Sequence, residues 1–271
     1  MRRTPVTLLV LAVIWAAELV LSWQGEPARL YMYNDVRLAT WVQIWVGDWW
    51  RPFTSTLLHV NLVHALMNGL ALCLFGGAIE QRWGPWRYLA LMVGLAYVAS
   101  LSEYAVWPSV YGLIASEPLK MHPALGISGV VYGFFGLMWA GRERFEPWQE
   151  LCSEQTVRIM LTWLVLCVVF TLTEILPVAN VAHFAGLGAG WLFGKFLYSR
   201  HHRPVWLAAA VALCLPAIAC WLFCPPTHPH YQTLKALKRF QSLGVSIDNQ
   251  SLNYAIRPPA ANIVANNWKH I

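Results

Sequence analysis

Charge is what this sequence has least of. Asp, Glu, Lys and Arg make up 12% of its 271 residues, about half the share found in soluble globular chains. With 58% hydrophobic residues, an ordinary water-soluble domain is excluded and lipid is the expected solvent. The six cysteines, Cys73, Cys152, Cys167, Cys214, Cys220 and Cys224, make no CxxC pair and no zinc-like Cys/His spacing. All but Cys152 fall in or beside apolar runs, so a disulfide framework is excluded and small packing residues remain. HExxH, internal repeats and low-complexity tracts are also missing. The net charge of +6 gathers into no basic stripe, which excludes a nucleic-acid partner.

What is present is a series of apolar stretches near the roughly 17–25 residues that a helix needs to cross a bilayer. They occupy 6–23, 57–79, 87–107, 124–141, 157–176, 179–198 and 205–224. Trp23, Trp49, Trp50, Trp83, Trp86, Trp107 and Trp206 sit at or near their ends, where indole rings favour the membrane interface. The first stretch has no small-residue cleavage site before Gln24 and reads as a retained span. The expectation is an all-α polytopic membrane protein. Its core occupies 1–200, with one further span at 205–224 and an outer-side tail at 225–271.

Basic residues set the expected orientation. With the N-terminus cytoplasmic, the inner segments carry Arg82, Arg87, Arg142, Arg144, Lys195 and Arg203 among others, and the outer loops only Arg29, Arg37, Arg51 and Lys120. The basic residues of the tail fit this asymmetry less neatly. The long first loop, 24–56, repeats Leu38, Trp41, Val42, Trp45, Val46 and Trp49 at helical spacing, the pattern of an interfacial helix.

Polar residues interrupt three spans. The second opens with His59, Asn61, His64 and Asn68, the fourth with Gly126-Ile127-Ser128-Gly129, and the sixth with Asn180-Val181-Ala182-His183. All three spans run from outside to inside, so these groups share one depth, about 5–15 Å below the outer boundary. An ionisable group at that depth is a functional candidate by default. Gly129 and Gly133, and Ala182, Gly186 and Gly190, are small-xxx-small steps that let two helices approach closely.

Such closeness is what a Ser hydroxyl needs to meet an imidazole from another helix. The expected chemistry is acyl transfer, with Ser128 as nucleophile and His183 as its base. No Asp or Glu stands out as a third member, so a dyad is the economical reading. His64 and Asn68 share a helix face and, with the Ser128 backbone N–H, are oxyanion candidates.

These segments, together with Trp50-Arg51-Pro52-Phe53-Thr54 and Gly76-Gly77-Ala78-Ile79-Glu80, resemble the ordered signature of rhomboid intramembrane serine proteases. The resemblance covers about residues 45–198. It implies a six-helix bundle, here with a seventh C-terminal helix, and a cofactor-free, water-filled cavity open to the outer side. It also implies that Tyr132 stacks on His183 and that His59 structures the first loop; Gly126 and Gly129 flank the serine in its motif, and Gly129, directly after it, allows close approach of a substrate backbone. Trp50 and Arg51 would pin that loop to the membrane, and Glu80 would tie helix ends together. The partners implied are the lipid bilayer and single-span membrane-protein substrates, in a bacterial inner membrane. Two other readings compete: a rhomboid-like protein that binds client helices without cutting them, and a haem or metal protein using His59, His64 and His183.

Overall fold

The computed structural model of the protein describes residues 4–25, 44, 48–114, 125–176, 178–199, 201–222, 236, 239 and 243, with side chains for all of these except 107–114, 216–217 and 219–222. Most of the first outer loop, including the expected interfacial helix, lies outside the described residues, as does almost all of the tail. Among the described residues every regular element is helical. The chain is an all-α polytopic membrane protein.

Helix α1 runs Pro5–Gln24. Proline suits a first turn, whose N–H groups have no intrahelical partner, and Gly25 ends the helix at a φ of 81°. A short α2, Arg51–Thr54, leads through a 3-10 turn, Ser55–Leu57, to the second long segment. That segment is not one uniform helix: α3 is Leu62–Ala71, a π-helical stretch covers Leu72–Gly76, and α4 is Gly77–Trp83. A Cβ on Gly76 would overlap the Tyr88 hydroxyl, so the missing side chain lets the next helix lie against this one. Gly84, at φ 82°, then reverses the chain, and Pro85 opens α5, Pro85–Ile114.

The sixth helix is the centre of the protein. Helix α6, Ser128–Gly141, has Gly129 through Met138 and Gly141 all buried. Fourteen residues rise about 21 Å, about 9 Å short of a hydrocarbon core about 30 Å thick. A helix this short does not cross that thickness by itself, and its neighbours cover most of its length. Phe134, Phe135 and Leu137 pack with Leu72, Tyr88 and Met92 in one core.

After a short α7, Glu146–Leu151, come α8, Glu154–Leu172, α9, Asn180–Tyr198, and α10, Arg203–Leu222. Helices α6 and α9 meet backbone to backbone. A Cβ on Gly186 would strike the carbonyl of Gly129, and one on Gly190 the carbonyl of Gly133. Among the described residues, four segments are long and apolar enough to cross a membrane: α1, Leu62–Trp83, Pro85–Val106 and α8. Their outward faces carry Leu8, Leu9, Leu19, Leu70, Ile159, Val165 and Leu172, all exposed, a surface that suits lipid and would aggregate in water. Helix α8 is the most loosely held of the four, with 17% of its apolar window buried.

Candidate active site

The chain enters α6 through Gly126, whose φ of 98° lies in the region where a side chain is strained. Its N–H donates to the Ser55 carbonyl at 3.3 Å, which ties the turn to the first loop. A Cβ at this position would come within 2.7 Å of His64 Cε1 and 3.1 Å of Asn68 Nδ2. One glycine thus permits the turn and brings the α3 side chains beside the first residue of α6. That residue is Ser128, and its Oγ lies 2.7 Å from Nε2 of His183 on α9.

His183 is nearly buried, and its ring centroid is 4.9 Å from that of Tyr132 at an interplanar angle of 37°. The Tyr132 hydroxyl donates to the Met160 carbonyl at 3.2 Å, so the ring against the imidazole is itself anchored to α8. The other imidazole nitrogen, Nδ1, is buried and has no hydrogen-bond partner among the described residues. Among the described residues no carboxylate accepts from it.

On the other side of the turn, Asn61 caps α3 by accepting from the His64 N–H at 2.9 Å. His64 and His59 meet edge to face with centroids 5.0 Å apart, and His59 is fully buried. The Asn68 Nδ2 group is buried with no hydrogen-bond partner among the described residues. An orphaned donor is costly in an apolar interior, so one held beside Ser128 marks a place for an acceptor. Near the end of the first loop, Arg51 Nε donates to Asp48 Oδ2 at 2.9 Å, while Trp50 packs edge-on against Trp49 and remains 41% exposed.

A Rhomboid domain profile matches residues 46–200. The chain belongs to the rhomboid family. Relatives include the putative rhomboid protease YdcA of Bacillus subtilis, 25% identical over 202 residues, 74% of this chain and 93% of that protein. The rhomboid protease GlpG of an Enterobacter species is 27% identical over 193 residues, 70% of this chain and 62% of the relative. RHOMBOID-like protein 4 of Arabidopsis thaliana is 31% identical over 153 residues, 56% of this chain and 35% of the relative. This chain therefore matches nearly the whole length of the first and only part of the other two.

Within this rhomboid, the residues singled out from sequence fall into two groups. Ser128, His183, Tyr132, His64, Asn68, His59, Gly126 and Gly129 come together around the start of α6. Glu80 does not. It lies at the far end of the second segment, where it accepts from the Val6 and Thr7 N–H groups at 2.8 Å each and from the Thr7 hydroxyl at 2.7 Å. Its carboxylate caps α1 and holds that helix in place. Among the described residues no group of three or more His, Cys, Asp or Glu is arranged to hold a metal ion; His59, His64 and His183 do not converge as a ligand set.

A cavity of about 820 Å³ lies between α5, α9 and α10, is lined by residues such as Leu91, Val98, Phe193 and Val211, and shares no residue with the Ser–His pair. Beside Ser128, bounded by Thr56, Gly126, Ala179 and Ala182, the room is about 10 Å³, near the least a single water requires. Among the described residues, the space beside Ser128 is narrow.

One carboxylate at the site escaped the sequence reading. Glu103, near the end of the Pro85–Val106 span, is buried and accepts from the Ala182 N–H at 2.8 Å. Its signal was available, since an acid inside an apolar span is unusual, but nothing in the sequence links it to a residue 79 positions away.

Proposed function

We propose that this rhomboid is an intramembrane serine endopeptidase that cuts single-span membrane proteins through a Ser128–His183 dyad. The observation that carries the reading is the 2.7 Å approach of Ser128 Oγ to His183 Nε2, between helices joined by glycines, in a membrane-embedded setting where a free hydroxyl and imidazole are costly.

In the reaction, Nε2 of His183 takes the Ser128 proton as Oγ bonds to the carbonyl carbon of the scissile peptide. The developing oxyanion meets Nδ2 of Asn68, the Ser128 N–H and His64. Collapse breaks the C–N bond, and the imidazolium returns the proton to the departing amine. Water then attacks the acyl-enzyme, giving one proton to His183 and releasing the new carboxyl group while Ser128 recovers its hydrogen. Tyr132 holds the imidazole plane throughout. His59 backs His64, and Arg51 with Trp50 steadies the first loop at the membrane surface.

The N-terminus lies in the cytoplasm and the site opens to the outer side of a bacterial inner membrane. Support comes from placement: Ser128, His64 and His183 lie near the same ends of their helices, and Arg82, Arg142, Lys195 and Arg203 near the opposite ends, as positive-inside topology requires. Substrate helices enter beside α8, the span with the least buried surface.

The test uses purified protein in detergent with a single-span substrate carrying small and helix-breaking residues near its outer end. Wild type cuts, while Ser128→Ala and His183→Ala do not. A folded wild type that binds several such substrates and cuts none supports the client-binding reading. Cleavage by Ser128→Ala removes the nucleophile assignment.

A further inference from the structure

Helix α9 carries the proposed base in its second turn yet begins without a cap of its own. Its N-cap residue is Ala179, which makes no side-chain hydrogen bond. A normal cap side chain would accept from the second or third N–H of the helix, here those of Val181 and Ala182. Both of those groups instead donate to Glu103, reaching across from α5, with the Ala182 bond 2.8 Å long. The acid also lies at the positive end of the helix dipole, which favours a carboxyl group there.

We infer that Glu103 is a positioning residue for His183: it caps α9 from another helix and fixes the axial setting that brings the imidazole to Ser128. The inference rests on the dyad reading above and adds to it a residue that touches neither member of the pair.

Two constraints act on α9, and they differ in direction. The glycine contacts at Gly186 and Gly190 set how closely α9 lies to α6. Glu103 grips the backbone immediately before His183 and adds a restraint along the helix axis. The Asn180 side chain, which donates to Thr171 Oγ1 at 2.8 Å and to the Val178 carbonyl at 3.2 Å, ties the preceding loop to α8 and leaves the Val181 and Ala182 N–H groups to Glu103. A displacement of about 1 Å at a reacting pair can cost about a hundredfold in rate.

The experiment measures covalent labelling of Ser128 by a fluorophosphonate probe, per folded molecule after gel filtration, with the maximal rate separated from the half-saturating probe concentration. Wild type, Glu103→Leu, Glu103→Gln and the Ser128→Ala control are compared. Glu103→Leu is expected to lower the maximal rate about tenfold or more with half-saturation unchanged. Glu103→Gln keeps an oxygen acceptor for the Ala182 N–H and is expected to stay within about threefold of wild type.

A purely structural role would reduce the yield or melting temperature of Glu103→Leu and leave the rate per folded molecule alone. That result overturns the inference and leaves the dyad standing. Should Glu103→Leu fail to fold, Glu103→Gln and Glu103→Asp decide. The shorter Asp cannot reach both N–H groups and should be slow where Gln is fast; equal rates overturn the positioning role. A wild type that never labels removes the dyad and this inference with it.

Discussion

Gly186 faces the carbonyl oxygen of Gly129 so closely that no side chain fits between them. Gly129 follows Ser128 and Gly186 lies three residues after His183, so this contact sits directly beneath the hydroxyl–imidazole pair. Gly186→Ala is expected to push α9 away from α6 and lower the cleavage rate on the order of a hundredfold, with helix content by circular dichroism retained. Gly190→Ala, one turn deeper against Gly133, should cost about 1–3 kcal/mol of stability and be seen as a lower melting temperature. If both variants match wild type, the close contact is not what holds the pair.

Asn68 has a buried donor awaiting an acceptor. Asn68→Ala is expected to lower kcat on the order of a hundredfold with little change in KM, because the lost bond forms chiefly in the transition state. A rise in KM at constant kcat would instead mark a substrate-binding group. Kinetics on a quenched single-span peptide in detergent separate the two.

Gly126→Ala tests the turn. The added methyl meets His64 at 2.7 Å and the backbone must hold φ near 98°, so strain and clash coincide. Activity is expected to fall at least as far as in Asn68→Ala, and Ser128 labelling by a fluorophosphonate should fall in parallel.

Tyr132 divides into ring and hydroxyl. Tyr132→Phe keeps the ring on His183 and loses only the bond to the Met160 carbonyl, so most activity should remain. Tyr132→Ala removes a ring contact of about 1 kcal/mol and frees the imidazole to rotate, for a loss of about tenfold in kcat. Equal activity of the two variants would mean that the ring does not orient the base.

Glu80 makes a contrasting prediction. Glu80→Ala strands two backbone N–H groups and a hydroxyl at the start of α1, a cost of about 3 kcal/mol. Thermal unfolding in detergent should move well down, while the turnover of molecules still folded should stay close to wild type.

The membrane fold was legible because hydrocarbon imposes a simple rule. Apolar runs of span length come from the local requirement that the backbone be satisfied within a helix. The π stretch at Leu72–Gly76 was not legible, because it answers to Tyr88 and the packing of α5 rather than to its own residues. Likewise the serine's helix was expected over 124–141, yet it starts at Ser128: the positive φ of Gly126 and its contacts with α3 decide where α6 begins.

At the site, Ser128, His183, His64 and Asn68 stood out because polar groups in apolar spans are rare and theirs shared a depth. Glu103 carried the same local signal, an acid in a span, and still escaped, since capping a helix 79 residues away is a relation between elements and leaves no trace in spacing.

The sequence by itself determined that the chain lives in lipid, which segments are apolar enough to cross it, and which polar groups are too costly there to be accidental. All of these follow from the free energy of placing each residue in hydrocarbon. Only the tertiary structure decided that Ser128 and His183 meet at hydrogen-bonding distance, that Gly129 and Gly133 close on Gly186 and Gly190, and that α9 takes its cap from Glu103. Those facts depend on how separate helices are set against one another, and helix-to-helix distance is a property of no single segment.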